Sequence, residues 1–203
     1  MKTITLFVAL SSLTLAAVAD PESFDFKDPK NVNNVVFRTD APLESINGTA
    51  TDIAGNVSFD PAKPEAIKGK IVVKAISLHV PNATMQGHLQ GAMWLDVAKY
   101  PDITFETVKV ENVKTKDNVS TADITGTMTL HGISKEVTAK DVKITFLKDK
   151  LKDRFPNLSG DLLVIRASFT LKRSDFGINK GQMEDKVSDD IQLNLSIAGQ
   201  APH

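Results

Sequence analysis

Residues 124–130 read Ile-Thr-Gly-Thr-Met-Thr-Leu, a stretch in which every second side chain is a threonine. Because successive side chains of a β-strand point to opposite faces, the threonines would share one face and the apolar residues the other. A strand of this kind is typical of an antiparallel sheet that is wet on one side and packed on the other. The stretch therefore predicts a β-protein whose apolar faces point to an interior.

The same alternation recurs from Val35 onward, in short segments separated by turn residues. Together the segments predict an all-β domain of about eight strands. They are residues 35–38, 45–59, 70–75, 103–107, 124–130, 137–146, 163–171 and 191–197.

Three segments change phase partway along, after Ala75, after Thr107 and after Ala139. One inserted residue turns every later side chain to the other face unless a β-bulge absorbs it. Bulges bend a sheet, and a sheet must bend to close into a barrel. The phase changes therefore favour a strongly curved sheet.

Residues 88–99 form the one segment with helical spacing, since Leu89, Met93 and Val97 would lie on one side of a helix. Tyr100-Pro101 would end that helix. We expect one short helix or two turns here, packed at the mouth or the side of a barrel.

The first 19 residues predict a signal peptide, because Lys2 precedes an uncharged apolar run and Ala17-Val18-Ala19 has the small-residue pattern of a cleavage site. The run is shorter than the roughly 20 residues that cross a bilayer. We expect cleavage after Ala19, export, and one mature domain over residues 20–203.

Composition excludes several kinds of site. The chain has no cysteine, which removes disulfides, zinc–thiolate sites and thiol nucleophiles. A net charge of −1 disfavours nucleic acid as a partner. The four histidines lack metal-ligand spacing, and no nucleophile or phosphate-binding motif is present. We predict no catalytic residue, no metal ligand and no cofactor.

The apolar faces leave the nature of the interior open. Ten Phe stand beside one Trp and one Tyr, whereas a transmembrane barrel would carry Tyr and Trp girdles. A small soluble barrel either fills itself with side chains or encloses a ligand. A structural or stress-protective barrel with a filled core is therefore one alternative, and a lipid-modifying enzyme that uses His88 or His131 is another.

Four groups of residues, in this order along the chain, resemble the YceI family of lipid-binding barrels. The first comprises His88-Leu89, Trp94-Leu95-Asp96-Val97 and residues 100–105, and the other three are residues 126–135, Phe169 with residues 173–178, and residues 187–191. The resemblance implies an eight-stranded antiparallel lipocalin-like barrel that is exported to the periplasm. It also implies a tunnel for a polyisoprenoid such as a quinone tail, although some relatives take fatty-acid derivatives.

An apolar lipid is thus the expected partner, with no nucleic acid and no stable membrane insertion. Relatives in the family dimerise, and the sequence leaves the oligomeric state of this chain open. Many relatives carry two histidines near the first strand, and residues 33–40 here have neither. Residues 82–87 also lack the charges that are often found there. The head group of the ligand is therefore left open as well.

The candidate ligand-binding residues are apolar side chains on the inward stripes and on the expected helix. Arg173 and Asp175 are expected to organise a turn instead. The candidates are Phe37, Ile71, Val73, Leu89, Met93, Trp94, Phe105, Met128, Leu130, Ile165, Phe169, Ile191 and Leu193.

Overall fold

Burial alternates strictly along the strand that contains residues 124–130, where every second side chain is buried. The computed structural model describes residues 20–203, and the predicted signal peptide lies outside them. The strands are β1 (Glu22–Asp25), β2 (Asn34–Asp40), β3 (Ser45–Ala50), β4 (Ile53–Phe59), β5 (Lys68–Lys74), β6 (Asp102–Lys116), β7 (Val119–Leu130), β8 (Ile133–Leu147), β9 (Gly160–Lys172) and β10 (Asp190–Pro202). The helices are α1 (Ala83–Gln90) and α2 (Leu151–Arg154), with single 3₁₀ turns at Pro64–Ala66, Ala75–Ser77 and Arg173–Phe176.

Eight strands close an antiparallel barrel in the order β1-β4-β5-β6-β7-β8-β9-β10, and β1 pairs with β10 to complete it. The remaining two strands, β2 and β3, form a hairpin on the other half of β10, which pairs with β2 from Ile191 to Ser196. The predicted eight-stranded antiparallel barrel is confirmed. The predicted segment 45–59 divides into β3 and β4, and β1 lies before the first segment that the alternation marked.

The side chain of Asn33 fills the break where β10 changes its partner from β2 to β1. Its Nδ2 donates to the carbonyl oxygens of Phe26 at 3.0 Å and Ala198 at 3.1 Å, and its Oδ1 accepts from the Ala198 N–H at 2.9 Å. Buried backbone groups need such partners. The Asn33 amide thus makes the hydrogen bonds that a neighbouring strand would otherwise make. The alternation of apolar and polar residues in the sequence cannot reveal this role.

A buried ion pair holds the same end of the barrel. Arg154 lies 2.7 Å from the carboxylate of Asp28, whose side chain is 2% exposed. Asp28 also accepts from the backbone N–H groups of Val32 and Asn33. Burial by itself raises the pKa of Asp28, but these backbone hydrogen bonds and the bond from Arg154 outweigh it, so the pKa lies below its usual value.

Two of the three predicted bulges are present. The pairing of β6 with β7 shifts between Thr107 and Lys109, and the pairing of β7 with β8 shifts opposite residues 122–124. The predicted slip after Ala75 is wrong, since β5 ends at Lys74 and a 3₁₀ turn follows. The chain leaves the sheet there, so no ladder remains for a bulge to interrupt.

The carboxylate of Asp123 on β7 joins the bulge in β8 to a second bulge in β6, where the β6–β7 pairing shifts again between Glu111 and Lys114. It accepts from Nδ2 of Asn112 on β6 at 2.7 Å and from the N–H of Asp141 on β8 at 2.9 Å. Both partners have positive φ angles, 54° and 51°. The Asn112 bond and then the Asp141 bond lower the pKa of Asp123. One side chain thus couples the curvature of three strands.

The predicted helix at residues 88–99 is wrong in its position, and a second helix was missed. Asn82 caps α1 by accepting from the Met85 N–H at 3.0 Å, and Gly91 ends it. Residues 91–99 form turns instead. α1 buries no residue fully and α2 is a single turn, so neither has the apolar periodicity that marks a helix. No helix within residues 20–203 is long and apolar enough to cross a membrane.

Aromatic side chains fill one end of the barrel, which we call the floor and define by Phe24, Phe26, Phe59 and Phe146. The Phe146 ring lies 6.3 Å from that of Phe24, edge-on, and 6.2 Å from that of Phe59. Phe24 and Phe26 have no exposed surface, and Phe59 is 2% exposed. Edge-on and tilted ring pairs at these distances are favourable packing arrangements. The floor is therefore solid.

Candidate ligand-binding cavity

Above the floor the barrel encloses a cavity of about 660 Å³. Pockets that hold small ligands usually measure about 300–1,000 Å³. The inward stripes of β9 and β10 supply one wall of the cavity. The stripe residues are Ile165, Ala167, Phe169 and Leu171 on β9, and Ile191, Leu193, Leu195 and Ile197 on β10.

The cavity ends at one level on several strands. Its deepest lining residues include Ile197 on β10, Ile165 on β9 and Val142 on β8. The next inward side chains toward the floor, Leu163 on β9 and Ile144 on β8, do not line it and are fully packed. The hollow therefore stops where the packed end begins.

Glycines on neighbouring strands let aromatic rings lie flat against the cavity wall. A Cβ on Gly126 would lie 2.4 Å from Cζ of Phe105, and a Cβ on Gly48 would lie 2.1 Å from Cζ of Phe37. Each ring therefore occupies the space that a side chain would take on the adjacent strand. The rings cover the wall and leave the centre open.

Small side chains widen the cavity further. Ala50, Gly69, Ala139 and Ala167 all line it, on four different strands. A larger aliphatic residue in place of any of the three alanines would project into the centre, whereas a Cβ on Gly69 would lie 2.3 Å from the Asn56 carbonyl oxygen on the adjacent strand. The width of the cavity therefore follows from residue size as well as from alternation.

The mouth is formed by α1 and by the connections that follow β2, β5 and β9. Apolar side chains there include Leu89, Trp94 and Val187. Glu44, His88 and Lys186 add polar or charged groups to the lining. A ligand in this cavity would thus have an apolar environment along its length and polar groups near its outer end.

Arg173 organises the connection between β9 and β10, as the sequence predicted. It is 3% exposed, and its guanidinium group stacks over Trp94 at 5.7 Å from the ring centroid. All five of its N–H groups have backbone partners. The acceptors are the carbonyl oxygens of Ser188 (3.2 Å), Ile178 (2.9 Å), Asn179, Gln182 (2.6 Å) and Val187 (3.1 Å).

This arrangement uses every donor that Arg173 has. The residue therefore shapes the mouth without a free donor for a ligand. Asp175, expected to share that role, makes no side-chain hydrogen bond within residues 20–203. Asp189 contributes instead, because its carboxylate accepts from the N–H of Ser174 at 2.9 Å and from its hydroxyl at 2.8 Å.

The structure brings all but one of the candidate residues to the cavity. Those that line it are Phe37, Ile71, Val73, Leu89, Trp94, Phe105, Met128, Leu130, Ile165, Phe169, Ile191 and Leu193. Met93 does not line it; its side chain is 69% exposed, because residues 91–99 form turns and not the helix that would have turned Met93 inward.

Sequence reasoning missed two kinds of lining residue. Val35, Leu195 and Ile197 continue stripes that the alternation had already marked, so that signal could have found them. Ile178 and Val187 lie in the connection held by Arg173. A loop has no periodicity, so the sequence carries no comparable signal for these two.

The two histidines of the enzyme alternative occupy different environments. His88 lines the mouth, whereas His131 lies in the β7–β8 turn with a φ of 52° and does not line the cavity. The His131 ring packs 4.7 Å from that of Tyr100, and its Nδ1 lies 3.3 Å from the Phe176 carbonyl oxygen. Within residues 20–203 neither histidine is hydrogen-bonded to a carboxylate that could orient it.

One group of potential metal ligands lies away from the cavity. Ligand atoms of Glu22, Asp161 and His203 fall within 4.8 Å of one another at the floor end of the barrel. Burial, followed by the nearby Asp161 carboxylate, raises the pKa of Glu22. Asp161 already accepts from the Asp149 N–H at 2.6 Å. The absence of a metal site therefore stays a prediction.

Comparison with known proteins adds sequence evidence. The sequence model of the YceI-like domain family matches residues 15–199 of this chain. A UPF0312 protein of Pseudomonas putida F1 is 39% identical over 154 residues, which cover 76% of this chain and 73% of that protein. A UPF0312 protein of Pseudomonas fluorescens SBW25 is 36% identical with the same coverage.

Solved structures share the barrel. BcnA of Burkholderia cenocepacia superposes with a TM-score of 0.65 at 20% identity, covering 82% of this chain and 95% of BcnA. A polyisoprenoid binding domain from Saccharophagus degradans, implicated in plant cell wall breakdown, gives a TM-score of 0.65 at 12% identity. The match covers 90% of this chain and 99% of that domain. At these identities the likeness establishes the fold.

Proposed function

The chain belongs to the YceI-like domain family, and on that premise we propose that it binds an isoprenoid or a similar long apolar ligand in its barrel, without catalysing a reaction. The observation that carries the proposal is the continuous apolar cavity of about 660 Å³ above the floor. The polyisoprenoid binding domain with the same fold supports this choice of ligand.

Hydrocarbon burial alone supplies enough free energy for such a function. A tail that buries about ten CH₂ groups gains roughly 8 kcal/mol before other costs. Ordering the ligand and the mouth of the barrel consumes part of that gain. Binding of this kind needs no catalytic group, only a water-excluding wall.

The alternatives have less support. A structural barrel with a filled core would lack the hollow above the floor. A lipid-modifying enzyme using His88 or His131 would need one of them at the ligand; His88 lines the mouth, but within residues 20–203 it is not hydrogen-bonded to a carboxylate that could orient it. A carrier or reservoir for an apolar molecule is the function that the geometry favours.

Export to the periplasm is part of the proposal and is supported by the predicted signal peptide. The full chain should be expressed in a Gram-negative host, and its periplasmic fraction should be analysed by N-terminal sequencing. We expect a mature protein that begins at Asp20. Recovery of the uncut chain in the cytoplasm would contradict this part of the proposal.

Ligand binding has a built-in reporter, because Trp94 is the only tryptophan of the chain and lines the mouth. The protein should first be extracted with organic solvent, and the extract examined by mass spectrometry for co-purified lipid. Delipidated protein should then be titrated with the isoprenoid alcohol farnesol while Trp94 emission is followed. We expect a saturable change with a stoichiometry of one to one.

A pair of variants on adjacent positions of β10 separates the cavity from the outer surface. Leu193→Arg places a charge in the apolar wall, where an unpaired charge is strongly disfavoured. Gln192→Arg places the same side chain on the exposed face. Leu193→Arg should abolish the titration and Gln192→Arg should preserve it. Absence of lipid in the extract together with no response to farnesol would overturn the proposal.

A further inference from the structure

We propose that the floor limits the length of the ligand's tail to about three or four isoprene repeats, so that the chain selects short isoprenoids over long-chain ones. This inference rests on the proposed function and adds a specificity to it. It follows from where the hollow stops and from how much space it contains.

The depth of the cavity gives one estimate. Ile191 near the mouth and Ile197 near the floor both line it and lie six residues apart on β10. At about 3.3 Å per residue and a strand tilt of about 40°, the vertical distance between them is about 15 Å. Three bonds of an extended chain span about 3.5 Å, so a four-bond isoprene repeat spans nearly 5 Å. About three repeats therefore reach from mouth to floor.

The volume of the cavity gives an independent estimate. A carbon of a hydrocarbon chain needs about the space of a water molecule in liquid water, roughly 30 Å³. A cavity of about 660 Å³ then holds some twenty carbons, or four repeats. Depth and volume thus agree on a tail of three or four repeats, even if the tail bends.

The floor cannot yield easily to a longer tail. Phe146 packs against Phe24 and Phe59, and all three rings lie below the deepest lining residues. Phe26 packs over Gly199, where a Cβ would lie 2.6 Å from the ring. Closely packed interiors accommodate added volume only with strain. The excess of a longer tail would stay at the mouth in contact with water.

The test is a length series of isoprenoid alcohols, titrated into delipidated protein with Trp94 emission as the signal. Geraniol, farnesol, geranylgeraniol and solanesol have two, three, four and nine repeats. Each further CH₂ that is buried should tighten binding up to roughly fourfold. We expect the Kd to fall from geraniol to farnesol or geranylgeraniol and to stop falling beyond, with solanesol no tighter than geranylgeraniol.

A variant that raises the floor should shift this limit. Ala167 lies one inward position above Ile165, so Ala167→Phe would add six ring carbons to the bottom of the cavity. The longest alcohol that still gains affinity should become about one repeat shorter. Thr170→Phe is the matched control, because it adds a ring of the same size to the exposed face of β9. Ala139→Leu, on β8, serves the same purpose if Ala167→Phe does not fold.

The outcomes separate this inference from the function on which it rests. Binding of no alcohol at any length counts against the proposed function. Binding that tightens steadily through solanesol overturns the length limit and leaves the function standing. A limit that Ala167→Phe and Ala139→Leu leave unchanged also overturns the role of the floor.

Discussion

The floor and the cavity are built from strands with the same alternation, yet one is solid and the other hollow. At the floor, Phe24, Phe59 and Phe146 point toward one another and their rings meet. In the cavity, Phe37 and Phe105 lie flat on glycines of neighbouring strands. The comparison teaches that an apolar inward stripe decides only that water is excluded. Whether the space is filled depends on how many rings meet, since Phe26 also lies on a glycine, Gly199, but packs in one cluster with the other rings of the floor.

The two ends also differ in how charge is buried. Asp28 and Arg154 pair beside Asn33, where β10 changes its partner, whereas Arg173 at the mouth gives all its donors to backbone carbonyl oxygens. The floor end therefore depends on a carboxylate whose pKa is lowered by its hydrogen bonds, and the mouth depends on a guanidinium group that is held by five backbone acceptors. Three experiments test this contrast between the ends.

The largest expected effect comes from truncating a ring at the floor. Phe59→Ala should lower the free energy of unfolding of the ligand-free protein by about 3–5 kcal/mol, because it leaves a void in close packing. Phe169→Ala, in the cavity wall, should cost only about 1–2 kcal/mol. The Phe169 ring is half-buried and borders the open cavity, so its removal destroys fewer packing contacts. Urea denaturation of both variants measures the difference. Equal losses would mean that the cavity is packed as tightly as the floor.

A smaller effect is expected at the mouth. Arg173→Lys keeps the charge but has three donors in place of five and loses the planar fork. We expect a loss of about 2 kcal/mol, and hydrogen exchange that rises in residues 177–189 while the floor keeps its protection. Arg38→Lys is the control, because the Arg38–Asp40 pair is about half exposed and should contribute little. Uniformly faster exchange across the barrel would contradict a local role for Arg173.

The smallest of the three effects should depend on pH. Asp28→Asn removes the charge that pairs with Arg154 and should cost about 1–2 kcal/mol near neutral pH. Because folding lowers the pKa of Asp28, its stabilisation is complete above the ordinary aspartate pKa of about 3.9 and is lost as the pH falls through the lowered value. The difference between wild type and variant should therefore shrink at about pH 3. A difference that stays constant between about pH 7 and pH 3 would exclude this linkage.

Much of the architecture could be predicted from local pattern. Threonines at every second position of residues 124–130 predicted the wet and dry faces of β7, and the phase change after Ala139 predicted the bulge in β8. Ten of the thirteen proposed cavity residues followed from such stripes, and Leu89 and Trp94, proposed from the expected helix, also line the cavity. Met93 does not line the cavity. The spacing in residues 88–99 predicted a helix there, but the chain forms its helix at Ala83–Gln90. Asn33 and Arg173 act through contacts with distant backbone, which no local pattern records.

By itself, the sequence determined which faces are apolar, two of the places where the sheet bends and seven of the eight strands that close the barrel. These properties depend on neighbours along the chain, so they can be derived from spacing. Only the tertiary structure decided that the interior is hollow above a solid floor. That outcome depends on which side chains meet across the barrel, as Gly126 meets Phe105 and Phe24 meets Phe146. Such pairs are set by register and closure, which bring together residues far apart in the chain.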